Sequence, residues 1–111
     1  MSKLNDHALF YVANYFKALA EPMRLKILNA LQDGEKNVGQ LTELSNCSQA
    51  NISKHLGLLA QYGLVTRESR GTSVYYSIAD PSIYTLCDLV CDQIGNRFIQ
   101  EAEIKKNFIS A

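Results

Sequence analysis

Apolar positions recur along this chain at two spacings, and the switch from one to the other divides it into elements. Residues 8–20, ALFYVANYFKALA, carry Leu9, Val12, Phe16 and Leu19 on one helical face, widened by Phe10, Tyr11 and Tyr15. That is more apolar width than one small core needs. The helix is either buried outright or shared between core and subunit interface. Glu21-Pro22 breaks the pattern, and Pro22 suits the first position of a new helix, where its missing N–H is not needed. PMRLKILNALQDG then runs to the stop at Gly34 with Leu25, Ile27 and Leu28 inward. Arg24 and Lys26 are expected on its surface, as solvated charges or phosphate contacts. Residues 35–38, EKNV, leave room for a short connector with a pair of strand residues.

Residues 39–63 form the centre of the chain. Leu41 and Leu44 give a first short helix an apolar edge, and Asn46, Cys47 and Ser48 make a polar turn. Ile52, Leu56 and Leu59 follow at i, i+4 and i+7, one face of a second helix. Ser48 is a suitable N-cap for that helix. Its opposite face carries Gln49, Ala50, Ser53, Lys54 and Gly57, which are small or polar. Small hydrogen-bonding residues with one cation allow a helix to approach base edges in a major groove. The stretch reads as a helix-turn-helix ended by Gly63.

The spacing then changes to two. LVTRES and SVYYSI alternate around Arg70-Gly71-Thr72, which predicts a β-hairpin with a basic tip. Val65, Val74, Tyr76 and Ile78 should face inward, leaving Arg67, Arg70, Thr72 and Ser73 outside. Such a tip is either plainly solvated or a wing on the phosphates or minor groove. Asp80-Pro81 starts a last helix, about 81–105, striped by Ile83, Cys87, Val90, Ile94 and Phe98 and flanked by Leu86 and Leu89. Nothing follows to cover that stripe, which makes it and the first helix a natural dimer interface. The tail, IKKNFISA, is expected to fray.

Composition adjusts this picture in three places. A chain of 111 residues suits a single domain, and no apolar run approaches the roughly 20 residues of a membrane span. Asp6 and His7 interrupt any signal-peptide pattern, so a cytoplasmic location is expected. Three cysteines, an odd number, argue for reduced thiols. The formal net charge of zero counts against a polyanionic partner. The distribution offsets it. From Ser48 to Ser73, Lys54, Arg67 and Arg70 stand against Glu68, a net of +2. From Asp80 to Glu103, five carboxylates stand against Arg97, a net of −4. There is no phosphate loop, carboxylate pair or nucleophile–base motif, so an enzyme is not expected.

FKALAEPMRLKILNAL, VGQL, SQANISKHLGLLAQYGLV and GTSVYYSIAD, in that order, resemble the ArsR/SmtB family of winged-helix repressors from about Phe16 to Asp80. The resemblance implies a mainly α fold with a small β-hairpin. It implies one winged helix-turn-helix domain over residues 1–111, with the helix-turn-helix at about 39–63, the wing at about 64–79 and a dimerisation helix at about 81–105. It further implies a homodimer through the first and last helices, binding double-stranded operator DNA as an inverted repeat and released by an effector. Carried onto this sequence, the DNA-binding positions are Ser48, Gln49, Ala50, Asn51, Ser53, Lys54 and His55, with Arg67, Arg70, Gly71, Thr72 and Ser73 on the wing. His55 is either a phosphate contact or a hydrogen-bonded structural imidazole.

The family is known for metal and metalloid sensing. Its cysteine cluster on the first helix of the helix-turn-helix has no counterpart in VGQLTELSN, and Cys47 just beyond reads as a small buried residue. Its zinc pattern on the last helix falls on Asp80, Ser82, Gln93 and Asn96, a poor ligand set. Cys87 and Cys91 remain, four apart on one helical face. They fit three roles: small residues in the dimer core, ligands to a soft metal or metalloid ion, or a redox sensor. A regulator answering to a small organic ligand without metal, and a winged-helix module that contacts only proteins, are the other functional readings.

Overall fold

The computed structural model describes residues 2–109. The elements run α1 (Asp6–Leu19), α2 (Pro22–Leu31), β1 (Lys36–Asn37), α3 (Val38–Ser45), α4 (Gln49–Gln61), β2 (Val65–Arg70), β3 (Ser73–Ile78) and α5 (Ser82–Ile109). They fall into two compact units, one ending at Asp80 and one beginning at Pro81.

In the first unit each helix is started by a side chain that the local sequence supplies. Asn5 Oδ1 accepts from Ala8 N–H at 2.8 Å, and Glu21 accepts from Arg24 N–H at 3.0 Å with Pro22 at the first turn of α2. Asn37 and Gln40 form a reciprocal capping box on α3, at 2.8 and 2.9 Å. Ser48 Oγ takes Asn51 N–H at 3.2 Å and opens α4, as the sequence predicts. At the other end, Gly63 has φ +74 and bonds Ala60 O, while Leu64 N–H reaches back to Leu59 O at 2.9 Å. This pair of bonds satisfies the last carbonyls of α4 and turns the chain into β2.

The core of this unit is Ala18, Ile27, Leu28, Leu31, Leu41, Ile52, Leu56, Leu59, Leu64, Val65 and Tyr76. Helix α2 is its hub, touching α1, α3, α4 and β3. Two expected core residues lie outside it. Leu25 and Leu44 are exposed, because Ile27, Leu28 and Leu31 set the inward face of α2, and Leu41 with Ser45 sets that of the two-turn α3.

The strands pair antiparallel in the order β1-β3-β2, with Val65 opposite Ile78 and Arg70 opposite Ser73. The two-residue β1 pairs Lys36 with Tyr76 and Asn37 with Tyr75, so the short strand anticipated in EKNV is present. Gly71 and Thr72 close the hairpin. Gly71 has φ +60 and Thr72 does not share a positive φ, the signature of a type II′ turn.

The second unit is α5, 28 residues and about 42 Å long. It runs to Ile109, not to about 105, and residues 104–109 are helical where fraying of the tail 104–111 was expected; residues 110 and 111 lie outside the described residues. The reason is local. Glu101 and Lys105 stand four apart in the favourable order, and Lys106 lies in the last turn, where cations complement the helix dipole. Arg97 and Glu101 form an i,i+4 ion pair at 3.2 Å. Ile83 is buried, whereas Leu89, Val90, Ile94, Phe98, Ile104 and Phe108 are exposed. Among the described residues no helix is long and apolar enough to cross a membrane.

Candidate nucleic-acid interface

Helix α4 divides cleanly into an inner and an outer side. Ile52, Leu56 and Leu59 have no accessible surface. Gln49, Ala50, Asn51, Ser53, Lys54 and Gly57 are all exposed. The turn before α4 depends on Asn46, whose φ of +54 lies in the left-handed region that asparagine tolerates better than most residues. A left-handed residue there ends α3 and lets the chain reverse within Cys47 and Ser48. The exposed side of α4 is thus presented by a buried leucine–isoleucine stripe and a tight turn, both set by the local sequence.

The side chains anticipated as DNA contacts are not equally available. Among the described residues Lys54 and Arg67 form no ion pair and stay exposed. Ser48 spends its hydroxyl on the α4 cap. His55 is half-buried, with Nδ1 at 3.4 Å from Arg24 Nη1 and Nε2 at 3.9 Å from Glu21 Oε2. Its structural role is therefore occupied within the protein. Arg24, expected as a solvated charge, is also half-buried. It donates from Nε to Ala18 O at 2.6 Å and from Nη2 to Lys17 O at 3.1 Å.

Arg70, on the wing, is held rather than free. Its guanidinium meets Glu35 at 2.5 and 2.8 Å and Glu68 at 2.9 Å, and lies 4.8 Å over the Tyr75 ring. Glu68, Arg70 and Tyr75 share one face of the hairpin, since Glu68 pairs with Tyr75 across the ladder. The hydrogen bonds that Arg70 donates to Glu35 and then to Glu68 push its pKa up. The hydrogen bond from Arg70, then its charge, pulls the Glu68 carboxyl down. Gly71, Thr72 and the half-buried Ser73 form the turn and its far edge.

On α5, Cys87 is half-buried and Cys91 exposed, both as free thiols, and Cys47 is a half-buried free thiol at the turn. Burial first, then the charges of Cys91 and Asp88, push the Cys87 thiol up. Among the described residues no three His, Cys, Asp or Glu side chains converge as a protein-only metal site would require.

A short buried-backed helix with a bare polar face, followed at once by a β-hairpin, is the arrangement of a winged helix-turn-helix DNA-binding regulator. The arsR family of bacterial regulatory proteins matches residues 21–67. The transcriptional repressor SdpR of Bacillus subtilis is 38% identical over 65 residues, which span 59% of this chain and 72% of that repressor. The arsenical resistance operon repressor of the same organism is 41% identical over 69 residues, 61% of this chain and 66% of its own. Among solved structures, Rv0081 of Mycobacterium tuberculosis has a TM-score of 0.79 at 28% identity, covering 88% of this chain and 99% of its own. The homodimeric winged helix-turn-helix DNA-binding domain Mb0332 of Mycobacterium bovis has 0.72 at 32% identity, covering 84% and 92%. The chain belongs to the arsR family, a family of transcriptional regulators and not of enzymes.

Proposed function

We propose that this chain is a cytoplasmic, homodimeric transcriptional repressor, with residues 1–111 acting as one winged-helix domain on an inverted-repeat operator. The observation that carries this reading is α4. Gln49, Ala50, Asn51, Ser53 and Lys54 are bare, while Ile52, Leu56 and Leu59 behind them are sealed. Gln49, Asn51 and Ser53 supply hydrogen-bonding groups for base edges, Ala50 permits close approach, and Lys54 supplies a phosphate or guanine contact. The wing from Arg67 to Ser73 lies along the flanking backbone, with Arg67 as its available cation. The exposed apolar faces of α1 and α5 support dimerisation, in keeping with the homodimeric Mb0332 domain.

The effector class that the side chains support is a thiophilic metal or metalloid ion, held by Cys87 and Cys91 with a further ligand from the partner subunit. The kinship with an arsenical resistance repressor supports this class. Because the Cys87 thiol is pushed up, it stays protonated at neutral pH, and a divalent ion must displace that proton. Release by cadmium should therefore need more metal as the pH falls.

Selection from a randomised duplex pool, followed by binding to the enriched sequence at several salt concentrations, tests the DNA reading. An inverted repeat and a steep fall in affinity with salt are expected. Failure to enrich any sequence ends the reading. Arsenite and cadmium added to that complex, with Cys87→Ser and Cys91→Ser beside the wild type, test the effector. Release that persists in both variants removes the thiol pair from the mechanism.

A further inference from the structure

The Arg24 guanidinium joins two elements that the DNA-reading arrangement leaves unconnected. Its Nε and Nη2 meet the carbonyls of Ala18 and Lys17, in the last turn of α1. Carbonyls at a helix end are short of intrahelical donors, and the planar fork reaches two at once. It supplies a donor to Ala18 O and a second one to Lys17 O, which already accepts Ala20 N–H at 3.2 Å. The remaining Nη1 points to His55 Nδ1 on α4, 31 residues away in sequence. Since Arg24 can only donate, Nδ1 accepts and the imidazole proton sits on Nε2, on the side of Glu21. Glu21 Oε2 lies 3.9 Å from that nitrogen and also caps α2 through Arg24 N–H. One carboxylate, one guanidinium and one imidazole thus tie the end of α1, the start of α2 and the flank of α4.

His55 directly follows Lys54, between the sealed stripe and the bare face. The stripe of Ile52, Leu56 and Leu59 holds α4 against the core and fixes which side faces out, but apolar burial is non-directional and sets the rotation about the helix axis only coarsely. A hydrogen bond from a guanidinium anchored on two carbonyls sets that rotation more finely. We propose that Arg24, acting through His55, is a positioning residue for the reading helix: it sets the rotation of α4 against the end of α1. In a dimer joined through α1 it thereby sets the spacing at which two reading helices meet the half-sites. The proposal rests on α4 being the DNA-reading helix.

The test compares Arg24→Lys, His55→Gln and His55→Asn with the wild type and with Lys54→Ala. The probes are the duplex that the wild type enriches most from a randomised pool, and calf-thymus DNA. Circular dichroism melting confirms that each variant is folded at the assay temperature. An asparagine oxygen can occupy the place of Nδ1, whereas a glutamine amide sits at the place of Nε2. Arg24→Lys and His55→Gln should lose about tenfold in affinity for the enriched duplex, the scale of one base contact, and little on calf-thymus DNA. His55→Asn should retain most of the wild-type preference. Selections repeated with Arg24→Lys should return a broader range of half-site spacings. A merely structural role predicts losses that follow melting temperature, equal on both DNAs and not rescued by asparagine, and that result overturns the proposal. If Lys54→Ala weakens binding while the Arg24 and His55 variants keep full preference, α4 reads DNA and the positioning role falls. If Lys54→Ala has no effect either, the reading of α4 falls and takes the proposal with it.

Discussion

Helices α4 and α5 are both amphipathic, yet they turn opposite chemistries outward. In α4 the apolar stripe has no accessible surface and the polar side is bare. In α5 the stripe is bare from Val90 onward, with Ile94 49% and Phe98 64% exposed. A helix in water that hides its leucines and shows amides, hydroxyls and one cation suits a hydrated, hydrogen-bonding, anionic surface. A helix that shows isoleucine and phenylalanine suits another apolar surface, because that area gains most by leaving water. On the function proposed above, these are two recognition surfaces, and the exposed side of each fits a different class of partner.

The largest expected effect lies behind the reading face. Leu56→Ala removes a sealed side chain and should lower unfolding stability by about 2–5 kcal/mol in chemical denaturation at a fixed protein concentration, with the dimer retained. The matching change on α5 should behave differently. Phe98→Glu should leave the fold of the protomer intact and convert a dimer to a monomer in sedimentation. DNA affinity should then fall by roughly a hundredfold as the two half-sites uncouple. A Phe98→Glu variant that stays dimeric, or a Leu56→Ala variant of unchanged stability, would erase the contrast between the helices. Lys54→Ala should act on affinity alone, reducing the slope of log affinity against log salt by about 1 with an unchanged melting temperature. The smallest effect belongs to the wing. Glu35→Gln with Glu68→Gln should free Arg70 for the backbone, tighten DNA binding severalfold and steepen the salt slope by about 1. An unchanged slope would mean that Arg70 serves the hairpin rather than the duplex.

Much of this was legible in the sequence because it depends on neighbours in the chain. The i, i+4, i+7 recurrence of Ile52, Leu56 and Leu59, the Ser48 cap and the Gly63 stop are each local patterns, and each is found in place. SVYYSI forms its strand, but only Tyr76 is buried, while Val74 and Ile78, expected inward, are half-buried like Tyr75 and Ser77. What escaped depends on residues far apart. Arg24 meets His55 across 31 positions and Arg70 meets Glu35 across 35. No periodicity marks which surface cation will find a distant acceptor. Leu25 and Leu44 were misplaced for a related reason: a helical wheel shows a stripe, while the neighbours decide how wide a band of it is covered. The end of α5 was set too early because its last turns are polar, though glutamate and lysine at four-residue spacing are good helix formers.

The order of the three strands has one more consequence. β3 lies in the middle with β1 on one side, which leaves β2 as a long open edge. An edge of that length offers unsatisfied amides to the same edge on another molecule, the first step toward fibrils. Thr66, Arg67, Glu68, Ser69 and Arg70 are all exposed along it, so every attempted strand addition meets charge and hydration. The same side chains that are proposed to meet nucleic acid thus oppose strand addition at this edge.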